Sequence, residues 1–219
     1  MNVAMWMTKK VITIAPDASI ALAARRMFDH QIRRLVVIGP QANLAGIVSK
    51  HDVLHAFPAH INPFVFSGKE DNSDFAAVET ILSFPVKTTT PNTPIEEAAA
   101  ILYRFKIGAL PVMDKDKLVG LITESDIFRA FNHLLSTGQP AVRVTFDEPD
   151  DAGVRRYIER CVDTYDLQLD ALITFEWRKK RRILIRLRGE NIEAFVEDVW
   201  QSGLTVQDIT RCGQEPTLL

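Results

Sequence analysis

The sequence predicts an α/β chain of the α+β kind, built from two β-α-β-β-α repeats followed by a β-α-β-β-α-β unit. Three observations predict it. Val3 to Pro16 align with Val78 to Pro91 at a fixed offset of 75. The alignment runs on through a helix and two strands to Gly46–Val53 and Gly120–Ile127, where the offset has become 74 after a one-residue slip in a turn. Beyond about residue 140 the register of the repeat is lost, and alternating apolar strands frame two amphipathic helices. One copy of a repeat cannot usually bury its own hydrophobic face, so two copies imply a pseudo-twofold module with a cleft where they meet.

Each repeat begins with a short extended stretch carrying hydroxyls, Val11–Ile14 or Val86–Thr90, which ends at a proline. Asp17 and Ser19, or Asn92 and Thr93, are then N-cap candidates. Ile20, Ala23, Ala24, Met27 and Phe28 form a helical stripe, repeated by Ile95, Ala98, Ala99, Leu102 and Tyr103. Leu35–Ile38 and Leu110–Met113 are short apolar runs of the buried-strand kind. A turn leads to a second strand, from Leu44 to Ser49 or from Leu118 to Thr123, and a last helix starts near Asp52 or Asp126.

In the last part Val142, Val144 and Phe146 alternate with polar residues, as in a half-buried strand. Asp150 or Asp151 can cap a helix with the stripe Val154, Tyr157, Ile158, Cys161, Val162 and Tyr165. Two strands follow, 169–177 and 183–187, joined by the basic run Arg178 to Arg182. Ile192, Phe195, Val196, Val199 and Trp200 mark a second helix ended by Gly203, and 204–209 supplies a final strand. This order is ferredoxin-like.

Composition bounds the function. With 219 residues, 47% hydrophobic and 25% charged, the chain suits one large or two modest globular domains. A net charge of −2 gives no general attraction to nucleic acid or to an anionic membrane. Cys161 and Cys212 have neither CxxC spacing nor His-rich company, and read as reduced thiols. No signal peptide is read at the N-terminus, where Lys9 and Lys10 interrupt a short apolar stretch. No apolar run approaches the ~18 residues that span a bilayer. A cytoplasmic protein without a membrane partner is expected.

The helix, the hLPVh strand, the turn and the GhhTxxD segment, present twice in this order, resemble a pair of cystathionine-β-synthase (CBS) domains, a Bateman module. The resemblance places the first CBS repeat at 1–56, a linker or insertion at 57–77 and the second repeat at 78–135. The first copy departs from the pattern at Val36, where proline is preferred, and at Ser49, which replaces threonine. Residues 140–212 resemble an ACT domain, although its Asp-x-Pro-Gly signature is displaced: Asp147-Glu-Pro149 is followed by a glycine only at Gly153. A CBS pair followed by an ACT-like domain resembles the acetoin-utilisation-type (AcuB-like) regulators.

No motif places a nucleophile, a metal or a Walker loop, so an enzyme is not expected. His51 and His55 are the only helical histidine pair and lack a third ligand, which reads as polar surface. The chemistry points to a ligand. In GhhTxxD the glycine lets a backbone approach closely. The hydroxyl of Ser49 or Thr123 sits at a helix N-terminus suited to phosphate, and Asp52 or Asp126 can accept both hydroxyls of a ribose. The resemblance implies the same roles and adds a base-side wall at Thr13, Thr88, Arg34, Leu35, Ala109 and Leu110. The competing reading makes each hydroxyl–aspartate pair a helix cap worth ~1 kcal/mol. Lys87, Arg33, Arg34 and Lys106 are candidates to neutralise phosphate or plain surface charge. If one cleft alone is filled, the one with Thr123 and Asp126, closer to pattern, is expected.

In the insertion, Phe57, Phe64, Val65 and Phe66 call for burial, over the module or in a dimer interface. The basic run with Arg186 and Arg188 reads either as a phosphate contact or as an exposed hairpin tip, and the tip is favoured. Two functions remain open. One is a regulatory sensor that takes an adenosine nucleotide such as AMP, ADP or ATP as its regulatory ligand, with no resident cofactor, and transmits occupancy through a homodimer to an unidentified target enzyme. The other is a ligand-free scaffold for oligomerisation or docking.

Overall fold

The computed structural model describes residues 1–57, 62–64, 76–135, 140–147 and 153–212. The chain divides into two compact units, Met1–Arg129 and Ala130–Leu219.

In the first unit, one copy contributes β1 (Thr13–Ile14), α1 (Ile20–Asp29), β2 (Arg34–Ile38), β3 (Leu44–Ser49) and α2 (Lys50–Ala56). The other contributes α3 (Ile95–Phe105), β4 (Ala109–Asp114), β5 (Lys117–Thr123) and α4 (Glu124–Leu134), whose last residues belong to the second unit. β1 runs parallel to β2 and β2 antiparallel to β3, while β4 pairs antiparallel with β5. The expected extended stretch at Val86–Thr90 is reduced to a single parallel bridge, Thr89 with Val112. Pro111 supplies the reason. Its counterpart Val36 has an N–H for the ladder, whereas Pro111 has none, so the next rung cannot form.

The two copies exchange their leading segments. Thr8 and Leu121 trade two backbone hydrogen bonds, at 2.9 and 3.0 Å. Their counterparts Ser83 and Ile47 do the same, at 2.9 and 3.3 Å. Val3 N–H donates to the Thr93 carbonyl, and Val78 N–H to that of Ala18. Val3 and Val78 are consequently fully buried, each as a plug in the other copy. The glycine of each GhhTxxD segment serves this exchange: a Cβ on Gly46 would lie 3.1 Å from the Ser83 carbonyl, and one on Gly120 3.2 Å from that of Thr8. The close approach expected at these glycines is therefore made by the opposite copy's leading strand.

In the first unit burial follows the predicted stripes except at Phe28, Tyr103 and the half-buried Ala99. Ile20, Ala23, Ala24 and Met27 are buried, as are Ile95, Ala98 and Leu102. Phe28 and its counterpart Tyr103 are instead 53% and 88% exposed. Eight residues carry a helix about 80° past two full turns, off the edge of the buried face. Ser19 caps α1 by accepting from Leu22 N–H at 3.1 Å. Asn92 and Thr93 do not cap α3. Pro94 holds that position without a side-chain bond, and the Thr93 hydroxyl turns back to accept from Thr90 N–H. Phe57 is buried in the first copy's core with Phe64 packed against it, while Val65 and Phe66 lie outside the described residues.

The second unit has β6 (Ala141–Asp147), α5 (Gly153–Thr164), β7 (Gln168–Trp177), β8 (Lys180–Arg188), α6 (Ile192–Gln201) and β9 (Val206–Cys212). The sheet order β7-β8-β6-β9, all antiparallel, is the ferredoxin-like arrangement. Val144, Phe146, Ile183, Ile185 and Leu187 meet Val154, Ile158, Cys161, Phe195 and Val199 in one core. Trp200 lies outside it, 61% exposed. The expected caps Asp150 and Asp151 lie outside the described residues. The basic run forms the tip of the β7–β8 hairpin, where Arg178 and Lys179 take the left-handed conformation of a tight two-residue turn. Asp147 draws in Lys180 and Arg182 from this run, at 3.5 and 3.1 Å. Arg188 makes a two-pronged pair with Asp170, at 2.7 and 2.8 Å. These charges are engaged within the sheet, which is the hairpin reading of the run.

Candidate ligand site

The last strand of each copy delivers its hydroxyl to the start of the following helix. Ser49 ends β3 and caps α2: Asp52 N–H donates to Ser49 Oγ at 3.2 Å, and Asp52 Oδ2 accepts from Ser49 N–H and Oγ, both at 2.7 Å. Thr123 and Asp126 repeat this at the head of α4, with 2.9 Å from Thr123 N–H, 2.8 Å from Thr123 Oγ1 and 3.4 Å for the return bond. Both pairs are thus reciprocal capping boxes. Because Asp52 and Asp126 occupy the third helical position, the helices begin two residues earlier than expected.

Capping does not exhaust these residues, since each pair also lines a cleft between the copies. The first cleft, of about 290 Å³, joins Arg34, Ile47, Ser49 and Asp52 to Ser83, Pro85, Val86, Lys87, Ile107, Gly108 and Ala109. The second, of about 230 Å³, joins Leu121, Thr123 and Asp126 to Thr8, Lys10, Val11, Ile12, Ile32, Arg33 and Arg34. Under the repeat offsets the two linings are almost the same set of positions. Each cleft takes its hydroxyl–aspartate pair from one copy and its opposite wall from the other.

Of the ten expected site residues, Arg34, Ser49, Asp52, Ala109, Thr123 and Asp126 line these clefts. Thr13, Leu35, Thr88 and Leu110 do not. Leu35 and Leu110 are fully buried in their own copies, and Thr88 is exposed. The Thr13 carbonyl accepts from the Arg26 guanidinium. The wall of each cleft is formed one or two residues earlier, at Val11 and Ile12 or Val86 and Lys87. Among the candidate cations Lys87, Arg33 and Arg34 line a cleft, and Lys106, the left-handed cap of α3, does not.

The two aspartates differ. Asp126, only 6% exposed, is also held through Oδ1 by Arg129 Nη2 at 2.8 Å. Arg129 in turn donates to the Trp6 carbonyl at 2.6 Å and lies over the Trp6 ring. The first copy has His55 in place of Arg129, and Asp52 Oδ1 has no partner among the described residues. Arg129 was legible in principle, as a cation three residues after an aspartate on one helix. Among the described residues, no group of histidine, cysteine and acidic side chains is placed to hold a metal.

The sequence pattern of the CBS domain matches residues 3–59 and 78–133, more than half of the chain. The chain belongs to the CBS domain family. The CBS domain pair of protein MJ0100, solved in complex with 5′-methylthioadenosine and S-adenosyl-L-methionine, is similar over 60% of this chain and 96% of its own, with a TM-score of 0.51 and 25% identity. The acetoin utilization protein AcuB of Vibrio cholerae is similar over 62% of this chain and 93% of its own, with a TM-score of 0.52 and 28% identity. A homoserine O-acetyltransferase of Methanococcoides burtonii is 36% identical over 129 residues, which is 58% of this chain and 24% of that protein. The CBS chain described here thus spans about a quarter of that enzyme's length.

Proposed function

We propose that this protein is a regulatory sensor that binds an adenosine nucleotide in the clefts of its CBS pair. The observation that carries the reading is the first cleft. Asp52 presents a carboxylate oxygen without a partner among the described residues, fit to accept ribose hydroxyls, while Ser49 lines the same space as Lys87 and Arg34. An apolar wall of Ile47, Val86 and Ile107 suits a purine. The adenosine ligands held by the CBS pair of MJ0100 support the same class. Asp126 is already occupied by Arg129, so the Ser49–Asp52 cleft fills first, although closeness to the family pattern favoured the other.

Occupancy becomes a signal when the ligand binds two conformations with different affinity. Apolar side chains at matched positions, Leu54 with Phe128 and Phe28 with Tyr103, are exposed on the helices and support a homodimer as the moving part. A cytoplasmic location fits the absence, among the described helices, of any long and apolar enough to cross a membrane. An amino-acid role for the ACT-like unit and a separate target enzyme belong to the same proposal. No catalytic activity is assigned to this chain.

The test is a thermal-shift series with AMP, ADP, ATP, S-adenosylmethionine and 5′-methylthioadenosine on the full chain. At a hundredfold excess over Kd, one-site binding adds about 2.7 kcal/mol. The expected result is a rise with at least one adenosine compound that Asp52→Ala changes and that Asp52→Ala combined with Asp126→Ala abolishes. Silence across the series favours a scaffold with empty clefts.

A further inference from the structure

Arg34 lines both clefts. It stands at the start of β2, where pairing with Ser49 fixes its backbone between them. The repeat does not supply a second such cation, because the matching position is Ala109. Gly108, which matches Arg33, makes room for the guanidinium: a Cβ there would overlap Arg34 Nη2 and lie 2.6 Å from Cζ. The guanidinium is half-buried and has no hydrogen-bond partner among the described residues. Burial lowers its pKa, Glu124 and Asp52 raise it, and Arg33 lowers it further. An arginine keeps its charge under such shifts.

A planar guanidinium makes its strongest contacts two-pronged, to one carboxylate or phosphate at a time. We propose that Arg34 is a single anion receptor shared by the two clefts, so that a phosphate binding it in one cleft withdraws it from the other. The inference rests on the nucleotide reading above and adds its regulation: the clefts are negatively coupled for phosphorylated ligands and independent for uncharged ones. The chain then fills stepwise, and a first ligand sets the threshold for the second. Losing one charge-assisted hydrogen-bonding group lowers affinity roughly ten- to hundredfold.

Calorimetric titration with AMP and with uncharged adenosine tests this on the full chain. The variants are Asp52→Ala, Arg34→Ala and the two combined, with circular dichroism melts to check folding. With AMP, the Thr123–Asp126 cleft is expected to bind roughly ten- to hundredfold more tightly in Asp52→Ala than as the second step of the wild type. In the Arg34→Ala background, and with adenosine, that difference vanishes. Should Asp52→Ala fail to fold, wild type and Arg34→Ala decide alone, through the gap between their two AMP steps. A gap that Arg34→Ala leaves unchanged overturns the sharing, since plain repulsion between two phosphates then accounts for it, and leaves the nucleotide reading standing. Absence of binding by AMP, by adenosine and by every compound of the thermal-shift series overturns both.

Discussion

Arg129 holds Asp126. Its Nη2 lies 2.8 Å from Asp126 Oδ1, whereas His55, the matching residue of the first copy, makes no such contact with Asp52. A pseudo-twofold pair of clefts is therefore chemically unequal at the residue best suited to read a ribose.

Arg129→Ala is expected to release Asp126 and strengthen nucleotide binding in the second cleft, read as a tighter second step by calorimetry. The arginine side chain is 61% exposed, and exposed ion pairs are worth within about 1 kcal/mol. The melting temperature should therefore change little. A second step that is unchanged or weakened would mean that the arginine itself is a ligand contact.

Thr89 is a core residue with an unpartnered hydroxyl. It is 6% exposed, and its Oγ1 has no hydrogen-bond partner. Its counterpart in the first copy is Ile14. Thr89→Val keeps the shape and removes the desolvated polar group, so stability should rise by about 1 kcal/mol. A urea midpoint that moves up with an unchanged m-value would show it.

Gly46 and Gly120 carry the exchange of leading segments. Alanine at Gly46 must displace Leu82 and the Ser83 carbonyl, and alanine at Gly120 must displace Met7 and the Thr8 carbonyl. Each substitution should cost about 1–3 kcal/mol, in the range of overpacking. Denaturant unfolding of each variant against the wild type measures it, and a neutral result would mean that the leading strands are held elsewhere.

Tyr157 makes the second unit sensitive to alkali. Its phenol pKa is pushed well above the usual tyrosine range by burial and by donation to Asp198 Oδ2 at 2.8 Å. The unfolded chain ionises this phenol near pH ~10, while the folded chain keeps the proton to higher pH. The unfolded state therefore gains from rising pH first, and stability is expected to fall above about pH 10. Tyr157→Phe should flatten that fall in melting curves taken from about pH 9 to about pH 11, and leave neutral behaviour nearly unchanged.

Cys161 shares this corner. Burial, ahead of the nearby Asp198, raises its thiol pKa, although the Tyr157 hydroxyl opposes the shift. A thiol reagent should therefore react slowly with Cys161 in the folded chain and quickly after unfolding.

Much of this architecture was legible because it is local or repeated. The stripe Ile20, Ala23, Ala24 and Met27 needs only the 3.6-residue period, and the Ser49–Asp52 and Thr123–Asp126 pairs need only a hydroxyl three residues before a carboxylate. The same locality misled at Phe28 and Tyr103, since periodicity does not say where a buried face ends. It misled again at Val86–Thr90, where a proline on another strand removed the partner donor.

What the chain of letters settled was the existence of two copies, their elements, and the hydroxyl–aspartate pairs at two helix starts. Each of these depends on residues within a few positions of one another. The tertiary structure alone decided that Thr8 would bind Leu121, that each cleft would be walled by both copies, and that one arginine would line two clefts. Those outcomes come from backbone pairing and close packing between segments far apart in the sequence, and from which of two matched positions bears a side chain long enough to cross the gap.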